Sequence, residues 1–200
     1  MLILFAEAST LPIVTDSTFV LIPLKSFVQA KLRLATVMTE EGRVDLAKKM
    51  AEIVLDAAQP LPVAIVCDDS EVAAWAHEKG AEVIRADNPG LNAAVKTGVS
   101  ALADKGVEKV IIAHGDLPKA TRLSHCADFD GITLVPDRHK DGTPVLTIPT
   151  NVKFEFSYGP GSYERHVSAA EHSGAPWRSL IDLDLNHDVD EPGDLDGIDF

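Results

Sequence analysis

Asp116 stands in His114-Gly115-Asp116-Leu117-Pro118, directly after the apolar run Val110-Ile111-Ile112-Ala113. A carboxylate where a buried strand runs out, beside a flexible Gly, can reach into a crevice and hold a hard cation such as Mg²⁺ through oxygen. The other reading of the same residue is a cap on a following helix. A second acidic group is His187-Asp188-Val189-Asp190-Glu191-Pro192. In extended chain Asp188 and Asp190 point to one face, and Asp190 also precedes Glu191-Pro192 as an N-cap would. Asp188 is therefore assigned to metal with Asp116, and Asp190 to capping or support, the two being interchangeable.

Cations gather in Pro23-Leu24-Lys25-Ser26-Phe27-Val28-Gln29-Ala30-Lys31-Leu32-Arg33-Leu34, just past another apolar run. Lys25, Lys31 and Arg33 are the charge a triphosphate needs, Arg for forked contacts and Lys as a point charge. The segment lacks the GxxxxGK[ST] pattern, so it is not a Walker A loop, and a basic surface loop is its plainer reading. In Asn88-Pro89-Gly90-Leu91-Asn92, Gly90 lets backbone approach a ligand, while Asn92 is either a helix N-cap or a contact to base or ribose. Gly159-Pro160-Gly161-Ser162 offers free N–H groups at a helix start, an anion site for a carboxylate or phosphate. Ser162 alone also reads as an N-cap, without a capping box because Arg165 stands where Glu or Gln is required. His114, His139, His166 and His187 show no metalloprotease spacing and are read as ordinary polar residues. Neither G-x-S-x-G nor G-x-G-x-x-G occurs, which removes the usual support for hydrolase and dehydrogenase readings.

These residues need a scaffold, and the hydrophobic pattern supplies one. Strands are expected at Phe19–Ile22, Val63–Cys67, Ala81–Arg85 and Val110–Ala113, with helices over Arg43–Ala58, Ser70–Lys79 and Asn92–Lys105. Continuous apolar strands alternating with amphipathic helices predict an α/β fold with a mostly parallel sheet covered by helices on both faces. Past Gly131 two more strands, Ile132–Val135 and Val145–Ile148, precede the glycine turn and a helix ending near Ser173. In open α/β sheets ligands bind outside the carboxyl ends of the strands, where Asp116 and the cations fall. The expected organisation is an N-terminal extension over residues 1–17 and one domain over 18–200.

Composition narrows the partners. The net charge of −13, from 31 acidic against 18 basic residues, argues against nucleic-acid backbones and anionic membranes. No Lys or Arg follows Arg178, whereas eight Asp or Glu run from Asp182 to Asp199, so most of these acids read as a solvated tail. Cys67 and Cys126 form no CxxC or Cys/His cluster, which fits a reducing cytoplasm. The opening Met1-Leu2-Ile3-Leu4-Phe5-Ala6-Glu7 is too short to span a membrane and lacks a basic n-region.

Together the segments resemble the guanylyltransferases of deazaflavin coenzyme F-420 biosynthesis over about residues 18–195. The resemblance rests on Pro23-Leu24-Lys25, Ala30-Lys31-Leu32-Arg33-Leu34, Gly90-Leu91-Asn92, the Asp116 motif, Pro136-Asp137-Arg138, Asp141-Gly142-Thr143, Tyr158-Gly159-Pro160-Gly161-Ser162 and Asp188-Val189-Asp190. It implies a nucleotide-diphospho-sugar-transferase-like, Rossmann-related fold. It further implies that GTP and a phosphorylated three-carbon acid react to a GMP-linked diphosphate and pyrophosphate. The acid is phosphoenolpyruvate in one branch, with 2-phospho-L-lactate or 3-phosphoglycerate as the alternatives. By the same resemblance Thr143, Gly159 and Ser162 contact the acid, and Asp116 and Asp188 hold Mg²⁺. Lys25, Lys31, Arg33 and Asn92 are the expected nucleotide contacts, Lys31 acting with the two carboxylates in catalysis. Two positions depart from the family pattern: Pro144 stands where many relatives have Asn, and Leu32 replaces a small polar residue.

Overall fold

The computed structural model describes residues 17–86 and 88–198. The expected N-terminal extension therefore lies outside the described residues apart from Ser17. In chain order the elements are β1 (Thr18–Pro23), α1 (Glu40–Ala58), β2 (Val63–Cys67), α2 (Ser70–Glu78), β3 (Glu82–Arg85), α3 (Leu91–Asp104), β4 (Lys109–Ala113), β5 (Ile132–Val135), β6 (Val145–Pro149), α4 (Ser162–Ser173) and β7 (Trp177–Ser179). Short 3-10 turns at Phe27–Gln29, Leu32–Thr36, Ser124–Ala127 and Pro192–Leu195 complete them.

The strands form one sheet of order β3-β2-β1-β4-β6-β5-β7. All pairings are parallel except those of β6, which runs antiparallel to both β4 and β5. The expectation of a mostly parallel α/β sheet is met. β5 and β6 fall on the two strands expected past Gly131, but the reversal of β6 is not revealed by periodicity, because an antiparallel strand buried on both faces looks like any other apolar run. Trp177-Arg178-Ser179 is too short and polar to register as a strand.

Alternation of side chains across the sheet explains its two layers. Val20, Ile22, Ile65 and Ile111 face α1 and α2, packing on Ala47, Ala51, Val54, Val72 and Trp75. Leu21, Ala64, Val66, Val110 and Ile112 face the other way, onto Val95, Val99 and Leu102 of α3 and Ala170 of α4. Each fully buried aliphatic side chain contributes about 1.5–3 kcal/mol. At Gly98 a Cβ would stand 2.6 Å from Leu21 Cδ2, so α3 rides directly on β1. Side-chain caps set two helix starts: Thr39 accepts from the Gly42 N–H, and Asp69 from those of Glu71 and Val72.

Candidate active site

Chain order runs outward from β1 to β3 on one side and jumps to β4 on the other. This makes the β1/β4 junction the point where strand order reverses, and the crevice outside its carboxyl ends is the place for a ligand. A cavity of about 570 Å³ opens there, bounded by the segment after β1, the segment after β4, the β5–β6 loop, the turn before α4, and Asp188 with Asp190. Lys25, Lys31, Arg33, Asp116, Thr143, Gly159, Ser162 and Asp188 all line it. Asn92 does not.

Lys31 occupies the centre of the charge pattern. It adopts a left-handed backbone conformation, φ 54°, at the start of the 3-10 turn Leu32–Thr36. Its ammonium is ion-paired with Asp116 and lies 3.2 Å from Asp190 Oδ1. Burial pulls its pKa down, but the two carboxylates outweigh that and hold it above the usual lysine value. For Asp116, burial pushes upward and Lys31 overrides it, so the carboxyl is held low. Lys31 thus stands with the carboxylates, while Arg33, grouped with it in sequence, does not. The long exposed Arg33 reaches Glu191 only at 3.9 Å.

Asp188 receives no such compensation. Burial, then Asp116 and Asp190, push its carboxyl up to about 6. A third feature is Asp116 Oδ1, buried without a hydrogen-bond partner among the described residues. A stranded carboxylate oxygen beside a carboxyl that resists ionisation is an environment a hard divalent cation would satisfy. No group of three or more His, Cys, Asp or Glu among the described residues makes a metal cage of its own. Two carboxylates suit Mg²⁺, which keeps several waters and takes further oxygens from substrate phosphates.

The two acidic segments are tied physically. Val189 N–H donates to the Asp116 carbonyl at 3.3 Å. The Val189 side chain is buried with Leu34, Leu46 and Met50, so one small apolar cluster seats both the cationic segment and the acidic one on α1. Asp194 fastens the far end: it accepts from the N–H groups of Asp190 and Glu191, at 2.7 Å each, and pairs with Arg138. Those contacts overcome its partial burial and hold its carboxyl low.

Several local readings need correction. No helix follows Asp116 directly, so it caps nothing. Gly115 has no unusual backbone angle; a Cβ there would meet Leu24 Cδ2 at 2.4 Å, and its smallness serves packing between β1 and β4. Asp190 is not an N-cap: Glu191 begins the turn Pro192–Leu195, which leaves the Asp190 side chain to Lys31. Nor does Asn92 cap α3. That helix starts one residue earlier, after Gly90 at φ 99°, and the Asn92 side chain is engaged by the Tyr158 backbone. Its Oδ1 accepts from the Tyr158 N–H at 2.6 Å and its Nδ2 donates to the Tyr158 carbonyl at 3.4 Å.

The opposite wall is a set of held loops. Gly159 and Gly161 take φ 117° and 70°, angles an L side chain resists. The N-cap of α4 is Gly161, leaving Ser162 as a buried first-turn residue. The Arg165 guanidinium donates to the carbonyls of Ser157, Gly159 and Pro160 at 2.7–3.3 Å. Their oxygens are thereby occupied, and most of the turn's N–H groups are taken as well. Tyr158 donates to Asn92, Gly161 to Asp141 and Ser162 to the Gly159 carbonyl, while Pro160 has none, so Gly159 is the residue whose N–H is left for the cavity. Asp137 organises the β5–β6 loop: its carboxylate accepts from the N–H groups of His139, Asp141 and Gly142 at 2.6–3.0 Å. Asp141 in turn accepts from the Gly161 N–H at 3.0 Å. Thr143 is buried in this wall, its Oγ1 3.0 Å from His166 Nδ1.

In sequence Asp137 stood only within a resemblance motif, Arg165 only as the residue that rules out a capping box, and His166 read as an ordinary polar residue. His166 lies four residues after Ser162, on the same face of α4; that spacing was the available signal.

Residues 18–199 match one family, characterised as "Guanylyl transferase CofC like". The chain belongs to this family. It is 31% identical over 189 residues to a phosphoenolpyruvate guanylyltransferase of Sphaerobacter thermophilus, covering 90% of this chain and 91% of that protein. It is 26% identical over 183 residues to a 2-phospho-L-lactate guanylyltransferase of Methanocaldococcus fervens, covering 88% and 82%. Among solved structures it superposes on a Desulfovibrio desulfuricans protein assigned as a nucleotide-diphospho-sugar transferase, with a TM-score of 0.71 at 14% identity, covering 90% and 84%. A 4-diphosphocytidyl-2C-methyl-D-erythritol synthase from Anaerococcus prevotii gives 0.59 at 11% identity, covering 90% and 95%. The fold is therefore nucleotide-diphospho-sugar-transferase-like, and this CofC-like chain is a nucleotidyltransferase that transfers a guanylyl group. No helix among the described residues is long and apolar enough to cross a membrane.

Proposed function

We propose that the enzyme condenses GTP with phosphoenolpyruvate to give enolpyruvoyl-2-diphospho-5'-guanosine and pyrophosphate, in the cytoplasm, as a step of coenzyme F-420 biosynthesis. The observation that carries the reading is a cavity at the β1/β4 junction with Asp116, Asp188 and Lys31 on one side and the glycine turn on the other. Phosphoenolpyruvate is preferred to 2-phospho-L-lactate because relatives bearing the first name are the more similar, 31% against 26%.

Asp116 and Asp188 would hold Mg²⁺, which when bound neutralises charge on the α-phosphate and on departing pyrophosphate. Lys31 keeps Asp116 ionised and stays within the cavity as a phosphate cation. Lys25 stands where the cavity meets a small recess beyond β1, β2 and β3 that Val66, Asp68, Asn88 and Leu91 line. Gly159 and Ser162, with Thr143 behind them, receive the acid's carboxylate or phosphate.

The acceptor phosphate attacks the α-phosphorus; a new P–O bond forms as the bond from the α-phosphorus to the β-bridging oxygen breaks, and pyrophosphate carries away that electron pair. A phosphate monoester is largely dianionic at pH 7, its second pKa being about 6, so no protein base is needed. Catalysis is positioning plus charge neutralisation, which accounts for a cavity without a Ser/His or Cys/His pair.

Asp116→Asn tests the assignment. Turnover is expected to fall by about 10²-fold or more, while the native circular dichroism spectrum stays that of the wild type and the melting temperature drops as Lys31 loses its partner. Near-normal metal-dependent turnover in this variant would overturn the role given to Asp116.

A further inference from the structure

His166 has no exposed surface, lies on α4 one turn beyond Ser162, and touches two segments that approach the cavity from different directions. Ser157 N–H donates to its Nε2 at 3.0 Å. Its Nδ1 lies 3.0 Å from Thr143 Oγ1. Tyr158 packs edge-on against the imidazole, ring centroids 4.7 Å apart, and Phe154 tilts against it at 5.7 Å.

The protonation pattern follows from the donors. A backbone N–H can only donate, so Nε2 is the acceptor and carries no hydrogen. Burial, followed by the positive charge of Arg165 and then His114, lowers the pKa of the ring to about 4, so it is neutral in the physiological range. A neutral ring with a bare Nε2 carries its one proton on Nδ1. That proton goes to Thr143 Oγ1, which therefore accepts from His166 and keeps its own hydroxyl hydrogen to give.

We infer that His166 is a positioning residue for the acid subsite: it locks the Thr143 hydroxyl to the Ser157–Ser162 turn and fixes that hydroxyl as a donor. The inference rests on the reading of this wall as the acid-binding side of the cavity. A threonine that accepts from His166 has its own hydroxyl hydrogen aimed elsewhere to give, so the wall suits an anionic oxygen, carboxylate or phosphate, at that point. The neighbouring Pro144 has no N–H of its own to offer, which makes the orientation of Thr143 matter more.

Two variants separate the contacts, because an asparagine amide reaches the position of Nδ1 and a glutamine amide that of Nε2. His166→Gln retains an acceptor for Ser157 and loses the donor to Thr143. The KM for phosphoenolpyruvate is expected to rise about tenfold, as for one lost hydrogen bond, with the KM for GTP changing less than about twofold. His166→Asn, which retains the donor to Thr143, is expected to give the smaller increase in acid KM. In a Thr143→Val background, His166→Gln is expected to add nothing further, since coupled residues are not additive.

An unchanged acid KM in His166→Gln, a parallel rise in both KM values, or full additivity with Thr143→Val would each overturn the inference. Nitrogen-15 NMR of the imidazole at pH 7 reads the tautomer directly and does not depend on activity: a proton on Nδ1 supports the inference and one on Nε2 overturns it. Should the wild-type enzyme turn over neither phosphoenolpyruvate nor 2-phospho-L-lactate, the proposed function falls, and the imidazole spectrum still decides the hydrogen-bond chain.

Discussion

Burial together with Asp116 and Asp190 pushes the Asp188 carboxyl up to about 6, against about 4 for an unfolded chain. Between those values the folded protein holds a proton that the unfolded chain has released. Stability without metal therefore falls as pH rises through that window, and the cost is fully present above it. Asp188→Asn removes the disfavoured charge. In the presence of a chelator its melting temperature is expected to exceed that of the wild type by a few degrees at pH 8, with little difference at pH 4. An equal shift at both pH values would show that the charge is not the cause. Asp116 and Asp188 could be chosen from sequence because a strand end and an alternating acidic run are local patterns. His166 and Asp137 could not, since each is defined by backbone groups it meets after folding: Ser157 for one, His139 to Gly142 for the other. The cap reading of Asn92 failed for the same reason, its partner Tyr158 lying 66 residues away.

At the scale of elements, β1, β4 and α3 do most of the positioning. β1 and β4 deliver Lys25 and Asp116 to neighbouring carboxyl ends, and α3 fixes β1 from behind through Gly98 on Leu21. Gly98→Ala forces a methyl into space already filled by Leu21 and is expected to cost about 1–3 kcal/mol, visible in a denaturant or thermal melt, with KM values little changed. A neutral effect would mean that Leu21 has room to turn aside. These strands and helices were legible because a parallel, doubly covered sheet makes continuous apolar runs alternating with amphipathic helices. The placement of β6 was not, because the β4–β6 and β5–β6 pairings depend on long-range registration that no local periodicity encodes. That reversed strand matters for function: it brings the β5–β6 loop, with Asp137 and Thr143, to the same edge as Asp116.

Across the whole molecule, an acidic chain of net charge −13 concentrates its few useful cations beside its most demanding carboxylates. Lys31 is held by Asp116 and Asp190, while Arg138 pairs with Asp194 to secure the acidic segment. The arrangement keeps opposed charges in one cavity and leaves the glycine turn, its carbonyls gripped by Arg165, as a separate wall of it. Such a cavity accounts for a reaction between two anionic substrates better than a surface of either sign could. The resemblance carried the identity of those substrates, and composition or periodicity carried none of it. The most direct test follows pyrophosphate release from GTP and Mg²⁺ with phosphoenolpyruvate, 2-phospho-L-lactate and 3-phosphoglycerate supplied in parallel. The account predicts release with phosphoenolpyruvate well above the other two, with a GMP-linked diphosphate of the acid as the second product. Release with none of the three, or equally without any acceptor, would contradict it.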